Sequence, residues 1–218
     1  MRTKTYYPLF ADLDGRRCVV VGGGMVAQRK VTTLLGCGAE VTVISPTLTR
    51  RLAALVHQGR VRGMRRRVRP GDLRGAWLVI AATDEPAINE LVSRAATRAR
   101  IFTNVVDQKP LCSFIAPAIF RRGLLTIAVS TGGASPALAK QLRRNFAVTI
   151  GVDYSRMLRL LKSLRGAAKR QLPTHHDRKR YFDRLVSGRV FSLVRQGRAK
   201  AARQEALALL RRARRNGA

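Results

Sequence analysis

With 218 residues, 46% of them apolar, the chain is long enough for one ordinary domain with an appendage or for two small ones. Lys and Arg number 43 against 12 Asp and Glu, a formal charge of +31 that would suit a nucleic-acid binder. The excess nevertheless spreads over 1–112 (19 basic, 8 acidic), 113–150 (5 and 0) and 151–218 (19 and 4), and no apolar run reaches the roughly 20 residues of a membrane span.

At the start, Met1 to Tyr7 has basic and aromatic residues but no apolar stretch ending in a small-residue cleavage site, so a cytoplasmic protein is expected. The turn signal "DLDG" then precedes Arg17–Val21, a short apolar run that reads as a buried strand of a parallel sheet. Next, Val26–Leu35 spaces Val26, Ala27, Lys30, Val31, Leu34 and Leu35 at helical intervals. Val41–Ser45 supplies a second strand, which Pro46 ends because it has no amide proton. Thr49–Gln58 reads as a helix, "RVRGMRRRV" as an edge strand and Trp77–Ala82 as an apolar strand. Pro86 opens a helix carrying Leu91, Ala95 and Ala99, and "IFTNVVD" is a strand ending at Asp107. Such alternation predicts an α/β fold, a doubly wound Rossmann-type parallel sheet with its ligand crevice at the strand carboxyl ends.

After Cys112 the pattern changes. Ser113–Phe120 and Leu124–Ser130 read as two strands joined by an "RRG" turn. A lone hairpin is marginal in water, so a second copy of the chain is a candidate to cover it. A helix starts at Ser135 with Pro136 in its first turn and Ala137, Leu138, Leu142 and Phe146 inward. From Asp153 the pattern is helical, with a break near Pro173 and a basic last helix. The organisation expected is 1–112, 113–150 and 151–218.

Cys18, Cys37 and Cys112 lack CxxC or Cys/His spacing and read as small buried hydrophobes, while His57, His175 and His176 offer no ligand set, so no metal site is expected. The chemistry lies elsewhere. Gly22, Gly24 and Ala27 match G-x-G-x-x-A between a strand and a helix. The first glycine allows the tight turn, the second lets a pyrophosphate approach the backbone, and the helix amino terminus offers unpaired amides through Met25 and Val26. The acid that usually takes the ribose hydroxyls at the end of the second strand is absent; Ser45, Pro46 and Thr47 stand there, and nearby Arg50 and Arg51 leave NADP open beside NAD.

The set "PLFADLDGRRCVVVGGGMVAQRK", "AATD", "NVVD" followed by "CSFIAPA", and "STGGASPALAKQLR" resembles precorrin-2 dehydrogenase, the module that also forms the amino-terminal half of sirohaem synthases. The resemblance runs from Pro8 to about Arg144. It implies a Rossmann domain, a β-hairpin dimerisation region and a small carboxyl-terminal helical domain, paired as an intertwined homodimer. It also implies hydride transfer from the anionic tetrapyrrole precorrin-2 to NAD, giving sirohydrochlorin. Asp107 matches the functional aspartate of "NVVD", Asn104 of the same motif is expected to bind the substrate, and Thr83 belongs to "AATD" at the cofactor. "VSTGGASP" offers Ser130 and Thr131 to substrate carboxylates; the position of Thr131 is a serine that can be phosphorylated in some sirohaem synthases. Some similar proteins also insert iron or cobalt through the same cleft. The chain lacks the length of the methyltransferase half of a trifunctional synthase, so methylation is expected from another protein.

Two other classes compete: a nucleotide-sensing module without chemistry, and a polyanion- or nucleic-acid-binding protein on a Rossmann base. A sensor needs no carboxylate beside the nicotinamide, so Asp107 favours an enzyme. A nucleic-acid binder would interleave basic residues with aromatics, whereas aromatic residues make up 6% of the chain and are scattered. Arg121, Arg122 and Lys140 could instead steer an anionic substrate.

Overall fold

Valines at alternate positions of Arg17–Val21 feed two different cores, which makes this strand, β1, the centre of a sheet covered on both faces. With β2 (Glu40–Ile44), β3 (Arg62–Met64), β4 (Leu78–Ala81) and β5 (Phe102–Val105) it forms a parallel sheet in the order β3-β2-β1-β4-β5. Val19, Val21, Val79 and Ala81 pack with Val92 and Ala96 of α3 (Pro86–Arg98). On the other face Cys18, Val20 and Ile80 meet Ala27, Val31 and Leu34 of α1 (Met25–Leu35) and Leu52 of α2 (Arg50–His57). Residues i and i+2 of a strand thus serve the same layer, each large aliphatic side chain contributing roughly 1.5–3 kcal/mol on burial. Helix starts follow their capping chemistry: the Thr49 hydroxyl accepts from Leu52 N at 3.3 Å ahead of α2, and Pro86 occupies the first turn of α3.

The computed structural model describes residues 5–215 and divides the chain into two units, Met1–Ala116 and Pro117–Ala218. Residues 1–4, on which part of the leader reading rests, lie outside the described residues. No helix among the described residues is long and apolar enough to cross a membrane.

The second unit opens with the antiparallel pair β6 (Ala118–Arg122) and β7 (Leu125–Val129), against which α4 (Pro136–Thr149) packs. Four helices follow: α5 (Val152–Gln171), α6 (His175–Ser187), α7 (Arg189–Arg195) and α8 (Ala199–Arg215). They share a core that includes Leu164, Ala168, Leu185, Leu193, Ala206 and Leu210. Tyr181 is buried among them, its hydroxyl donates to Ala206 O at 3.1 Å, and burial pushes its pKa up to about 12.

Three readings are corrected. The strand expected at Ser113–Phe120 is β6 at Ala118–Arg122, because Ser113 N donates back to Thr103 O at 2.8 Å and Pro117 has no amide for a ladder; the turn moves to Gly123 and Leu124. The strand expected to end at Asp107 ends at Val105, and Asp107 sits two residues on at φ +59°. In α4 the buried residue is Ala139, whereas Leu138 and Leu142 are 51% and 36% exposed, since α4 turns its small residue to the hairpin. Cys18 and Cys112 are buried as expected, and Cys37 is half-buried.

Candidate functional site

Strand register builds the site. Val21 lies beside Ile44 and Ala81, and Ala81 beside Val105, so four parallel strands finish level. The ladder continues for one more step, with Gly22 N donating to Ile44 O at 2.9 Å, Ala82 N to Val21 O at 2.8 Å and Val106 N to Ala81 O at 2.9 Å. Beyond that step the chain leaves the sheet at Gly23, Pro46, Thr83 and Asp107. Connections run in opposite directions from β1 and β4, and a crevice at such a switch point is where open α/β sheets bind ligands.

Gly22 adopts φ +118°, and a Cβ there would run into the Ala82 carbonyl. Gly23, which the motif does not count, is equally constrained: a Cβ would strike the Thr47 carbonyl and approach Ser45 Oγ at 2.8 Å. At Gly24 a Cβ would meet nothing within 4 Å. The glycine there leaves the approach to the first turn of α1 free of side-chain bulk. No side chain caps that turn, Gly24 being the N-cap, and no acidic residue lies in it. Met25 is 63% exposed above it. Unpaired amides, the positive helix end and free space together suit a pyrophosphate. The second connection is held down by Thr49, whose N donates to Gly23 O at 2.9 Å and whose hydroxyl donates to Gln28 Oε1 at 2.7 Å.

Most residues singled out from the sequence gather on this edge. Gly22, Gly24, Met25 and Val26 form the loop and first turn, with buried Ser45 and exposed Pro46 and Thr47 on one side. Thr83 lies on the other side, its hydroxyl accepting from Glu85 N at 2.9 Å and its carbonyl from Asn89 Nδ2 at 3.1 Å. Asp107 is exposed. Asn104 is buried one layer below the rim, and its amide donates to Phe114 O at 3.2 Å, bracing the segment after β5.

Two further residues of this unit bear on the turn of Asp107 in roles that the sequence did not show. Cys112 Sγ accepts from Val105 N and donates to Val105 O, both at 3.2 Å, closing the turn that carries Asp107. Lys30 lies half-buried on α1, where burial pushes its ammonium pKa below the usual value; neighbouring Arg29 adds to this, and the charge of Asp107 opposes it. The signal for Lys30 was its place in the apolar stripe of α1, where a cation needs a reason.

In the second unit the Thr131 hydroxyl accepts from Ser135 N and donates to Ser135 O, both at 3.0 Å, and Ser130 Oγ accepts from Gly132 N at 3.1 Å. Ser135 in turn caps α4 through Leu138 N at 3.1 Å. Both hydroxyls therefore order the glycine loop ahead of α4.

Comparison with known proteins gives three family matches in chain order: "Putative NAD(P)-binding" over 9–118, "Sirohaem biosynthesis protein central" over 122–148 and "Sirohaem synthase dimerisation region" over 153–210. Siroheme synthase of Thioalkalivibrio sulfidiphilus is 42% identical over 91% of this chain, and that of Methylobacillus flagellatus 41% over 90%. The chain spans 41% and 42% of the length of those two relatives. Among solved structures, SirC, a precorrin-2 dehydrogenase, superposes with a TM-score of 0.77 at 26% identity, covering 95% of this chain and 100% of its own.

Proposed function

The chain belongs to the NAD(P)-binding family whose model spans residues 9–118, and from that premise we propose that it oxidises precorrin-2 to sirohydrochlorin with NAD as acceptor. The observation that carries this reading is the shared edge: the glycine loop at Gly22–Gly24 and the exposed carboxylate of Asp107 leave β1 and β5, the two strands that flank β4, at the same level.

The oxidation removes two hydrogens, one as hydride and one as proton. When bound, the nicotinamide ring supplies the hydride acceptor. The amides of Gly24 to Val26 would hold the pyrophosphate, and Ser45, Pro46, Thr47 and Thr83 would line the nucleoside and nicotinamide sides. Asp107 takes the proton as the C–H bond breaks, or balances charge on the macrocycle, and releases the proton to solvent. Lys30 keeps a positive charge near that carboxylate. Ser130 and Thr131 are assigned to substrate carboxylates, and Asn104 to holding the turn that presents Asp107. We retain the three-part organisation of 1–112, 113–150 and 151–218 and a homodimer, supported by the match to a dimerisation region and by exposed Leu138 and Leu142.

An anaerobic assay of the purified chain with precorrin-2 and NAD or NADP tests this reading. Formation of sirohydrochlorin with stoichiometric NADH is expected. Nucleotide binding without oxidation would support the sensing module instead, and parallel reactions with ferrous or cobaltous ion read out chelation separately.

A further inference from the structure

At the end of β2, where dinucleotide folds usually carry an acid for the adenosine ribose, this chain has Ser45, Pro46 and Thr47 instead. A 2′-phosphate would meet no carboxylate there. Ser45 is 8% exposed, its hydroxyl has no hydrogen-bond partner among the described residues, and a Cβ on Gly23 would come within 2.8 Å of Oγ. The hydroxyl therefore faces the glycine loop and can donate to a phosphate oxygen, which an ionised carboxylate cannot. Cations border the same edge. Arg50 and Arg51 open α2 directly after the cap at Thr49, with no acid in that turn. Ile44 lies beside Met64 and Ser45 N donates to Met64 O at 3.1 Å, so Arg65 leaves β3 next to the end of β2. All three arginines are exposed, and none forms an ion pair among the described residues. Arg66 and Arg67, by contrast, are held by Asp72 at 2.7 Å and Glu85 at 3.2 Å. Two cations in the first turn of a helix oppose the positive end of its dipole, an arrangement that an anion seated there reverses.

We propose that the chain binds NADP at least as tightly as NAD, with the 2′-phosphate of the adenosine ribose held by Arg50, Arg51 and Arg65 and by the Ser45 hydroxyl. The subsite rests on the nucleotide site proposed at the glycine loop and extends it to the ribose end of the cofactor. Guanidinium groups match phosphate oxygens as paired donors. All four residues lie within 9–118, apart from the stretch matched to a dimerisation region, so one unit of the chain supplies the whole subsite. Diffuse attraction to a chain of charge +31 is the alternative, and it would not depend on which exposed arginines are present.

Calorimetric titrations of the full chain with NAD and with NADP, in the absence of tetrapyrrole, test the subsite, since the two differ by this one phosphate. Arg50→Gln combined with Arg51→Gln should lower NADP affinity relative to NAD by about tenfold, the scale of two exposed charge contacts. Gln suits a helix and relieves the charge against the dipole, so α2 stays folded. Pro46→Asp, on the exposed turn after β2, sets a carboxylate against the 2′-phosphate and should lower the same ratio. Arg60→Gln with Arg62→Gln removes equal charge from the opposite, amino-terminal edge of the sheet and should leave the ratio at the parent value. Weaker binding of NADP than of NAD by the parent overturns the proposal, as does an unchanged ratio in either of the first two variants or an equal fall in the third. A chain with the expected preference that leaves precorrin-2 unoxidised defeats the functional reading alone. One that oxidises precorrin-2 with NAD while refusing NADP defeats the subsite alone.

Discussion

Gly22 and Ala82 meet at the carboxyl edge of β1 and β4 so closely that a methyl group on Gly22 would clash with the Ala82 carbonyl. Gly24, two residues on, faces open space. The two glycines of one motif therefore answer to different demands, one to the fold and one to the ligand. Gly22→Ala should cost about 2–4 kcal/mol, from φ +118° and the clash together. Gly24→Ala should leave the melting temperature unchanged and weaken NAD about tenfold or more by calorimetry. Equal effects of the two on stability would remove the distinction.

Asp107 carries the second prediction. Asn shares the tolerance of Asp for left-handed backbone, so Asp107→Asn at φ +59° keeps the turn and deletes the charge. Turnover of precorrin-2 should fall by about 100-fold, the scale of a positioned acid or base, with NAD affinity unchanged. A near-parent rate would take Asp107 out of the chemistry.

Where neighbours in sequence are neighbours in space, the fold could be read directly. The apolar run Arg17–Val21, the glycines and the spacing from Val26 to Leu35 specify β1, the loop and α1 to within a residue. Long-range demands were not legible. Nothing in "CSFIAPA" says that Ser113 bonds back to Thr103 and delays β6, and nothing in "NVVDQKP" shows that Asp107 takes a left-handed turn closed by the Cys112 thiol. The stripe of α4 was visible, but its partner was not: a helical pattern gives a face without saying whether the same chain covers it. Lys30 shows the same limit, since periodicity counted it on the inner face of α1 without the Asp107 charge that lies near it.

That exposed stripe yields a third prediction. Leu138→Asp with Leu142→Asp places two charges on a face open in the single chain, so the isolated unit should tolerate them. If the face joins two copies, burying unpaired carboxylates there costs several kcal/mol, and light scattering should report monomer where the parent is a dimer. A dimer of unchanged affinity would move the interface elsewhere.

Alkaline lability follows from Cys18. Burial, with a smaller contribution from Cys37, raises its pKa from 9.0 to about 11. The folded state then holds a proton that the unfolded chain gives up. Its stabilising contribution is complete below pH 9 and is lost as pH rises through about 11. Urea titrations across that window should show Cys18→Ala losing less stability than the parent; parallel losses would mean that Cys18 does not titrate there.

Lys30 tests how far the crevice trades stability for charge. Its folded pKa lies below 10.5, chiefly through burial, so the unfolded chain binds the proton more tightly. Stability should therefore rise with pH from the lowered value up to 10.5, and at neutral pH the cost of burying the ammonium is in full force. Lys30→Met keeps the length of the side chain and removes the charge. Its unfolding midpoint in urea should exceed that of the parent at pH 7, and the advantage should shrink toward pH 10. The same substitution removes the Lys30 charge from near the Asp107 carboxylate in a site proposed to receive an anionic macrocycle, so turnover should fall about tenfold, the equivalent of one lost charge contact. Gain of stability with loss of rate marks Lys30 as a charge kept for the reaction. A variant both less stable and fully active would make it a packing residue whose alkyl chain alone matters.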